Sequence, residues 1–403
     1  MRERFRNSQA GRLVQAQQGE AAYWAFVPNP LPPPLPLDLE LLRAQADASQ
    51  AVGELAGLGR TLANPHLLIR PFVRREAVLS SRIEGTQAEL ADLYAYEAGQ
   101  LSLPGQRPPE ADVREVLNYV HALEYGIERL ATLPVSLRLM RELHERLMAG
   151  VRGGAATPGE FRHSQNWIGQ PGCTLAQADF VPPPPAEMQG ALSDLEEYLH
   201  RDDGYPLLMR LAFVHYQFEA IHPFLDGNGR IGRLLLSLLS VHWGLLPLPL
   251  LYLSGYFESH RSDYYGLLAA VSERGAWRDW LLFFLRGVAE QARDANARAK
   301  RLQDLQIEWR RQLLEERSAG LLLRLVESLF KNPMLTVPQA QLLLGVTHRS
   351  AQHSVDKLVQ VGILRPAGKS ARARVYVAPA IVDTVDMPLH AERNDTLSDK
   401  GII

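Results

Sequence analysis

Twelve consecutive residues of this 403-residue chain, His222-Pro-Phe-Leu-Asp226-Gly227-Asn228-Gly229-Arg230-Ile-Gly-Arg233, gather a titratable base, a carboxylate, a glycine-flanked asparagine and two arginines. That set suits a nucleoside polyphosphate carried on a divalent metal. Glycines let backbone N–H groups come close to phosphate oxygens, and the loop opens a helix whose N-terminus favours anions. Asp226 offers a hard oxygen ligand for Mg²⁺, which usually takes one or two carboxylates beside phosphate and water. Arg230 and Arg233 can fork onto the outer phosphates. His222, with an ordinary pKa of about 6.5, titrates near working pH as a general base should.

Two other phosphate-binding readings fail. Gly227-Asn-Gly229-Arg-Ile-Gly232 satisfies Gly-x-Gly-x-x-Gly, but a dinucleotide fold needs a strand before it and an acidic residue about 20 positions on. Here Leu207, Leu211, Val214, Phe218 and Ile221 recur at helical spacing, so a helix precedes the loop. No acidic residue lies between Asp226 and Glu258. A Walker loop fails as well, because no Gly-Lys-[Ser/Thr] closes this one.

At these residues the chain resembles the Fic (filamentation-induced-by-cAMP) family, whose signature His-x-Phe-x-[Asp/Glu]-Gly-Asn-Gly-Arg-x-x-Arg is met at every fixed position. The resemblance implies a mainly α fold, a Fic-type helical bundle with a small β-hairpin flap. It also implies transfer of a nucleotide monophosphate, usually AMP from ATP, to a Ser, Thr or Tyr hydroxyl of a target protein. His222 would then deprotonate that hydroxyl, Phe224 would anchor the loop, and Asp226 would hold Mg²⁺. The N–H groups around Gly227, Asn228 and Gly229 would cradle the α- and β-phosphates, with Arg230 and Arg233 on the end that leaves as pyrophosphate.

Three further segments take roles from the same resemblance. Gly159–Gly169, which includes Trp167, Ile168 and Gly169, and Phe180–Pro185 read as extended strands around a turn-rich insert with Pro171 and Gly172. They resemble the flap that pairs in β fashion with the target. Tyr256, Tyr264 and Tyr265 lie in a stretch resembling the adenine seat, where core packing remains an equal reading for any one tyrosine. Ser80-x-x-x-Glu84-Gly85 resembles the inhibitory motif [Ser/Thr]-x-x-x-Glu-[Gly/Asn] in its N-terminal form. Its carrier reads as a helix over about 71–85, with Pro71 suited to the first turn and Gly85 to the C-terminal cap. Thr86-Gln-Ala-Glu89 reads as a capping box opening the next helix.

The rest of the chain must position these groups. Its length suggests two or three domains, with 46% hydrophobic residues and a net charge of −2. Any nucleic-acid role must therefore be local. The single cysteine, Cys173, cannot form an intrachain disulfide, which points to a reducing cytoplasm. Met1-Arg-Glu-Arg-Phe-Arg is charged and no apolar core follows, so no signal peptide is expected. The apolar run from Leu234 to Leu251 is broken by Gly244, Pro247 and Pro249, and reads as a buried helix and turn with no membrane role.

The expected organisation is an N-terminal arm and helical region (1–105), the arm extended and proline-rich over 1–36, then a catalytic domain (106–290). A charged, solvated linker helix (291–317) leads to a winged helix-turn-helix (318–385) and a flexible tail (386–403). In the winged helix, residues 335–347 read as a helix and glycine turn, and His348–Gly362 as a second helix. Ile363–Arg365 and Arg374–Val377 read as strands around a wing. From Gly345 to Ala378, Arg349, Lys357, Arg365, Lys369, Arg372 and Arg374 face only Asp356 among acidic residues. Such an excess suits phosphate, so Arg349, Lys369, Arg372 and Arg374 are candidate DNA or partner contacts. Two function classes compete on this reading. One is an AMP-transferase that the winged helix directs or dimerises; the other is a DNA-binding regulator whose pocket senses ATP. An intact base favours the first, since a sensor needs none. Relatives that use other nucleotides or phosphocholine, or that remove AMP, keep the nucleotide open.

Overall fold

The computed structural model describes residues 2–17, 22–61, 66–98, 110–151, 157–170, 172–314, 319–367 and 375–386. The chain is mainly helical. In order, the elements are α1 (Arg2–Phe5), β1 (Gly11–Ala16), β2 (Tyr23–Pro28), α2 (Leu39–Thr61), α3 (His66–Ile83), α4 (Leu90–Glu97), α5 (Glu110–Arg129), α6 (Leu137–Leu147), α7 (Pro185–His200) and α8 (Leu207–Ile221). Then follow α9 (Asn228–His242), α10 (Ser254–Ser259), α11 (Arg261–Arg274), α12 (Trp277–Leu313), α13 (Ala319–Leu329), β3 (Met334–Thr336), α14 (Val337–Leu344), α15 (His348–Gln360), β4 (Arg365–Ala367), β5 (Val375–Val377) and α16 (Pro379–Asp386). No helix among the described residues is long and apolar enough to cross a membrane.

The chain divides into two compact units. The first comprises residues 1–60, 79–86 and 117–293 and is built around α8 and α9. Nearly every residue of these two helices is buried, which is the pattern of helices enclosed on all sides. Around them α6 turns one apolar stripe (Leu139, Met140, Leu143, His144, Leu147) inward, and its N-cap Ser136 accepts from the Leu139 N–H at 3.4 Å. Trp280 of α12, fully buried, donates its indole N–H to the Ala212 carbonyl at 3.0 Å. Gly126 lets α5 approach Leu238 of α9, whose methyl would crowd any Cβ there at 2.8 Å.

The N-terminal arm departs from expectation. β1 and β2 form an antiparallel hairpin, Gly11 opposite Pro28, and the Phe26 N–H donates to the Val181 carbonyl at 2.9 Å. The apolar run Tyr23–Pro28 carries this strand, and its second half is buried. The helix expected to carry the inhibitory motif also starts earlier than read. α3 begins at His66, so Pro71 sits inside it and not in its first turn. Its end is as read, with Gly85 at φ +101°.

The second unit comprises residues 61–78, 87–116 and 294–403. The capping box that opens α4 is Glu89 with Asp92, three residues later than the expected Thr86–Glu89 pair, and the Glu89 N–H donates to Asp92 at 2.9 Å. The sheet order is β3-β5-β4, antiparallel throughout, with Met334 and Arg365 both opposite Val377. Thr336 caps α14 in a box with Gln339, Gly345 ends it in the left-handed region, and Thr347 caps α15. The short strand β3 replaces the start of the expected helix at 335. The expected solvated linker is the latter part of the 37-residue α12. It is solvated on one side only, since Arg298, Leu302, Trp309 and Leu313 are buried. Arg298 forks onto Asp294 at 2.7 and 2.9 Å and donates to the Thr384 and Val385 carbonyls, closing the end of α16. Lys369, Arg372, Arg374 and the tail 387–403 lie outside the described residues.

Candidate active site

α8 ends at His222, held in the left-handed region (φ 49°, ψ 61°), a conformation costly for a residue with a Cβ. Its Nδ1 lies 3.3 Å from the Glu219 carbonyl. A carbonyl can only accept, so Nδ1 carries the proton and Nε2 keeps its lone pair. Burial pushes the imidazole down to about 4. The Glu219 carbonyl, Glu84 and Asp226 pull the other way, and the Arg162 guanidinium adds to the lowering. His222 is therefore a neutral imidazole at pH 7, as a base must be.

The loop between α8 and α9 is stapled by Asn228. Its Oδ1 accepts from the Phe224 N–H and its Nδ2 donates to the Phe224 carbonyl, both at 2.8 Å. The Asn228 side chain is thus committed to loop shape, and only its backbone is available to a ligand. Gly227 takes φ +79°, which glycine alone adopts cheaply, and its N–H donates to Asp226 Oδ1 at 2.6 Å. Asp226 is half exposed and 3.8 Å from Arg230. Phe224, fully buried, stacks on His144 at 3.8 Å between ring centres.

Three supports of this loop were not read from the sequence. Buried Arg162 donates to the carbonyls of His222 (2.9 Å), Ser164 (3.2 Å), Pro183 (2.5 Å) and Ile221 (3.4 Å). Asn166 donates to the carbonyls of His222 (3.2 Å) and Phe224 (2.8 Å). His144 accepts from the Gly159 N–H at Nδ1, so its Nε2 is protonated and donates to the Asp226 carbonyl at 3.0 Å. All three act on backbone, and backbone contacts leave no side-chain pattern to find in a sequence.

The expected inhibitory residues Ser80 and Glu84 meet the second arginine of the motif. Arg233, 2% exposed, donates to Ser80 Oγ (2.9 Å), the Ser80 carbonyl (3.0 Å) and Glu84 Oε1 (2.6 Å). Burial would raise the Glu84 carboxyl, but Arg233, Arg230 and His222 more than offset it and hold the carboxyl below its usual range. Glu84 also keeps the Arg233 guanidinium firmly charged despite burial. The carboxylate lies over Gly229 in the first turn of α9, where any side chain would collide with it. One Arg233 nitrogen, Nη1, has no hydrogen-bond partner among the described residues. Glu219, on α8, packs its carboxyl against Gly232, and burial pushes it up to about 8.

The three tyrosines do not form one surface. Tyr264 is 1% exposed and bonds His215 Nε2 at 2.9 Å within a stack of Phe257 and Trp280, so it packs the core and offers a base no face. Tyr256 is buried against Phe283 and His260. Tyr265 is exposed, and burial of its phenol with the nearby Glu84 pushes it up to about 12. In the expected flap, one antiparallel bridge joins Ile168 to Phe180, with no longer strand among the described residues, and a 3-10 turn spans Leu175–Gln177. Trp167 and Ile168 are exposed; the Trp167 indole donates to the Cys173 carbonyl at 3.1 Å. Gly169 leaves room for the Cys173 sulfur.

Comparison with known proteins places this site in a family. Residues 134–240 match the Fic/DOC family, and residues 42–128 match the Fic/DOC family N-terminal region. The chain is 28% identical over 194 residues to the protein adenylyltransferase Fic of Drosophila grimshawi, covering 47% of this chain and 36% of that protein. The counterpart in Culex quinquefasciatus is 27% identical over 195 residues, with 47% and 35% covered. The match thus spans about a third of these relatives' length. A Fic family protein from Desulfovibrio desulfuricans G20 superposes with a TM-score of 0.56 at 21% identity, over 86% of this chain and 98% of that one. A Fic domain containing signaling protein from Bacteroides thetaiotaomicron VPI-5482 gives 0.51 at 20%, over 63% and 97%. These likenesses show the fold. The chain carries a Fic domain and the N-terminal region that accompanies it.

Proposed function

We propose that this chain is a protein adenylyltransferase that moves AMP from ATP to a Ser, Thr or Tyr hydroxyl of a target protein, and that Glu84 holds it off. The observation that carries the reading is the junction of α8 and α9. There His222, its Nδ1–H engaged and Nε2 bare, stands beside a helix N-terminus flanked by Arg230 and Arg233. Displacement at phosphorus needs in-line positioning and neutralisation of charge on the leaving group. Nε2 would take the hydroxyl proton while the first-turn amides of α9 and both arginines hold the phosphates. Asp226 fits a metal-bound substrate, being half exposed with one oxygen, Oδ1, on the Gly227 N–H. Among the described residues no cluster of three or more His, Cys, Asp or Glu could hold a metal. One carboxylate with substrate phosphates suits Mg²⁺, which would neutralise charge on the leaving pyrophosphate. Glu84 occupies the space over Gly229 and the guanidinium that an outer phosphate needs.

The relatives named protein adenylyltransferase support AMP as the group moved. Trp167 and Ile168 would receive the target segment, and Tyr265 would lie beside the nucleotide. The order α13, β3, α14, α15, β4, β5 fits a winged helix, with Arg349 exposed at the start of α15 to meet DNA or a second copy. Purified protein with Mg²⁺ and ATP labelled at the α-phosphate should label itself or a target. Label arriving from the γ-phosphate instead rejects nucleotidyl transfer in favour of kinase chemistry.

A further inference from the structure

We propose that Arg162 is a positioning residue for the base His222. It grips the strained end of α8 by its carbonyls and sets an unpaired positive charge behind the imidazole. The proposal rests on the reading of His222 as general base.

Arg162 lies 60 residues before His222 and is 1% exposed. A buried guanidinium usually faces a carboxylate, because an unpaired charge is costly to bury. Here its hydrogen-bond partners are all carbonyl oxygens, and among the described residues no carboxylate pairs with it. Two of those carbonyls, Ile221 and His222, are the last of α8 and the first after it. The Arg162 N–H itself donates to the Pro223 carbonyl at 2.9 Å. Three successive carbonyls, 221 to 223, thus point at one residue. They are where the chain turns into the left-handed region and aims the imidazole at the loop. A residue needed only to fill space there would be apolar.

The charge has a second effect. His222 is faced by Arg162 from the first segment of the expected flap, by Glu84 from the end of α3, by Asp226 from the loop and by the Glu219 carbonyl from α8. The two carboxylates and the carbonyl favour the imidazolium, and Arg162 opposes them. By this account Arg162 aims Nε2 and adds to the burial that keeps it unprotonated. Asn166 donates to the same His222 carbonyl without a charge, so the two contributions can be separated.

The test uses the full chain carrying Glu84→Gly, in which transfer is measurable, with Arg162→Gln, Arg162→Lys and Asn166→Ala added singly. A misplacement of about 1 Å costs on the order of 10²-fold in rate. Arg162→Gln should therefore lower kcat by about that factor and leave the KM for ATP within about threefold, since the lost interaction is not made to ATP. Arg162→Lys should restore part of the rate. The titration of His222, followed by NMR without nucleotide or metal and assigned against His222→Ala, should move toward the ordinary value of about 6.5 in Arg162→Gln. It should stay low in Arg162→Lys and Asn166→Ala, which keep the charge. Unchanged kcat and unchanged titration in Arg162→Gln overturn the proposal. So does an equal loss of kcat and ATP affinity with a lowered melting temperature and unmoved titration, which marks a fold support. If the Glu84→Gly parent transfers nothing, the enzymatic reading fails while the titration still decides the role of Arg162.

Discussion

Replacing Glu84 by glycine tests the proposed inhibitory role of its contact with Arg233 most directly. The substitution removes one carboxylate that accepts from Arg233 at 2.6 Å, and Arg233 keeps its bonds to Ser80 Oγ and the Ser80 carbonyl. A hydrogen bond to a charged group contributes about 1.5–3 kcal/mol. The Glu84 side chain is 36% exposed, so solvent screening places this pair in the lower half of that range. On the proposed mechanism, productive seating of an outer phosphate on Arg233 requires that contact to break. At 1.4 kcal/mol per tenfold, its removal should speed transfer roughly 10- to 40-fold. If the blocked enzyme also binds ATP misaligned, realignment adds to the gain, up to on the order of 10²-fold in all. The assay is the initial rate of AMP incorporation from α-labelled ATP, with ATP affinity from calorimetry beside it. Affinity should change modestly. Glu84→Gln, which keeps the shape and one acceptor but no charge, should fall between. A Glu84→Gly protein no faster than wild type on any substrate, itself included, while binding Mg²⁺-ATP equally well, refutes the account.

Three further outcomes follow from the site. In the Glu84→Gly background, His222→Ala should lose ~10²–10⁴-fold in transfer with ATP affinity retained, because a general base acts on the transition state; an equal loss of ATP affinity in calorimetry contradicts that role. Asp226→Ala should abolish the dependence of ATP affinity on Mg²⁺ without unfolding the chain, so an unaltered Mg²⁺ dependence excludes Asp226 as the ligand. Glu219→Gln should stabilise the protein at alkaline pH. The folded-state pKa of Glu219 is raised to about 8 from the ordinary 4.5, so its favourable state is the neutral one. Stability from this group is present below 4.5 and falls as pH rises toward 8, by about 1.4 kcal/mol per pH unit. The melting-temperature gap between variant and wild type should widen between pH 5 and pH 8 and then level off; a gap independent of pH contradicts the burial argument.

How much of this molecule was legible in its sequence depends on how far apart the cooperating groups lie. His222, Asp226, Gly227 and the two arginines fall within one helix end, one loop and one helix start, so type and spacing alone point to one candidate site. Glu84 stands 149 residues from Arg233, and nothing local marks it as more than a solvated charge. Only resemblance could pair the two. Backbone-directed supports were beyond reach. Arg162, Asn166 and His144 grip carbonyls, which every residue possesses, so no partner type at any spacing announces the contact. Local signals failed where tertiary packing overrode them. Pro71 reads as a helix start, yet α3 runs past it from His66. The charge of α12 reads as a solvated linker, yet Arg298 is spent on Asp294 and the end of α16. The tyrosines show the same limit, since aromatic residues suit a base and a core equally, and Tyr264 went to the core. A base is the reverse case. Its chemistry demands a bare nitrogen, and the bond that leaves Nε2 bare runs from Nδ1 to the carbonyl three residues earlier on the same helix. The tautomer that would make His222 a base is thus set by the carbonyl of its own helix, and on our proposal the reach of that base depends on Arg162, 60 residues away.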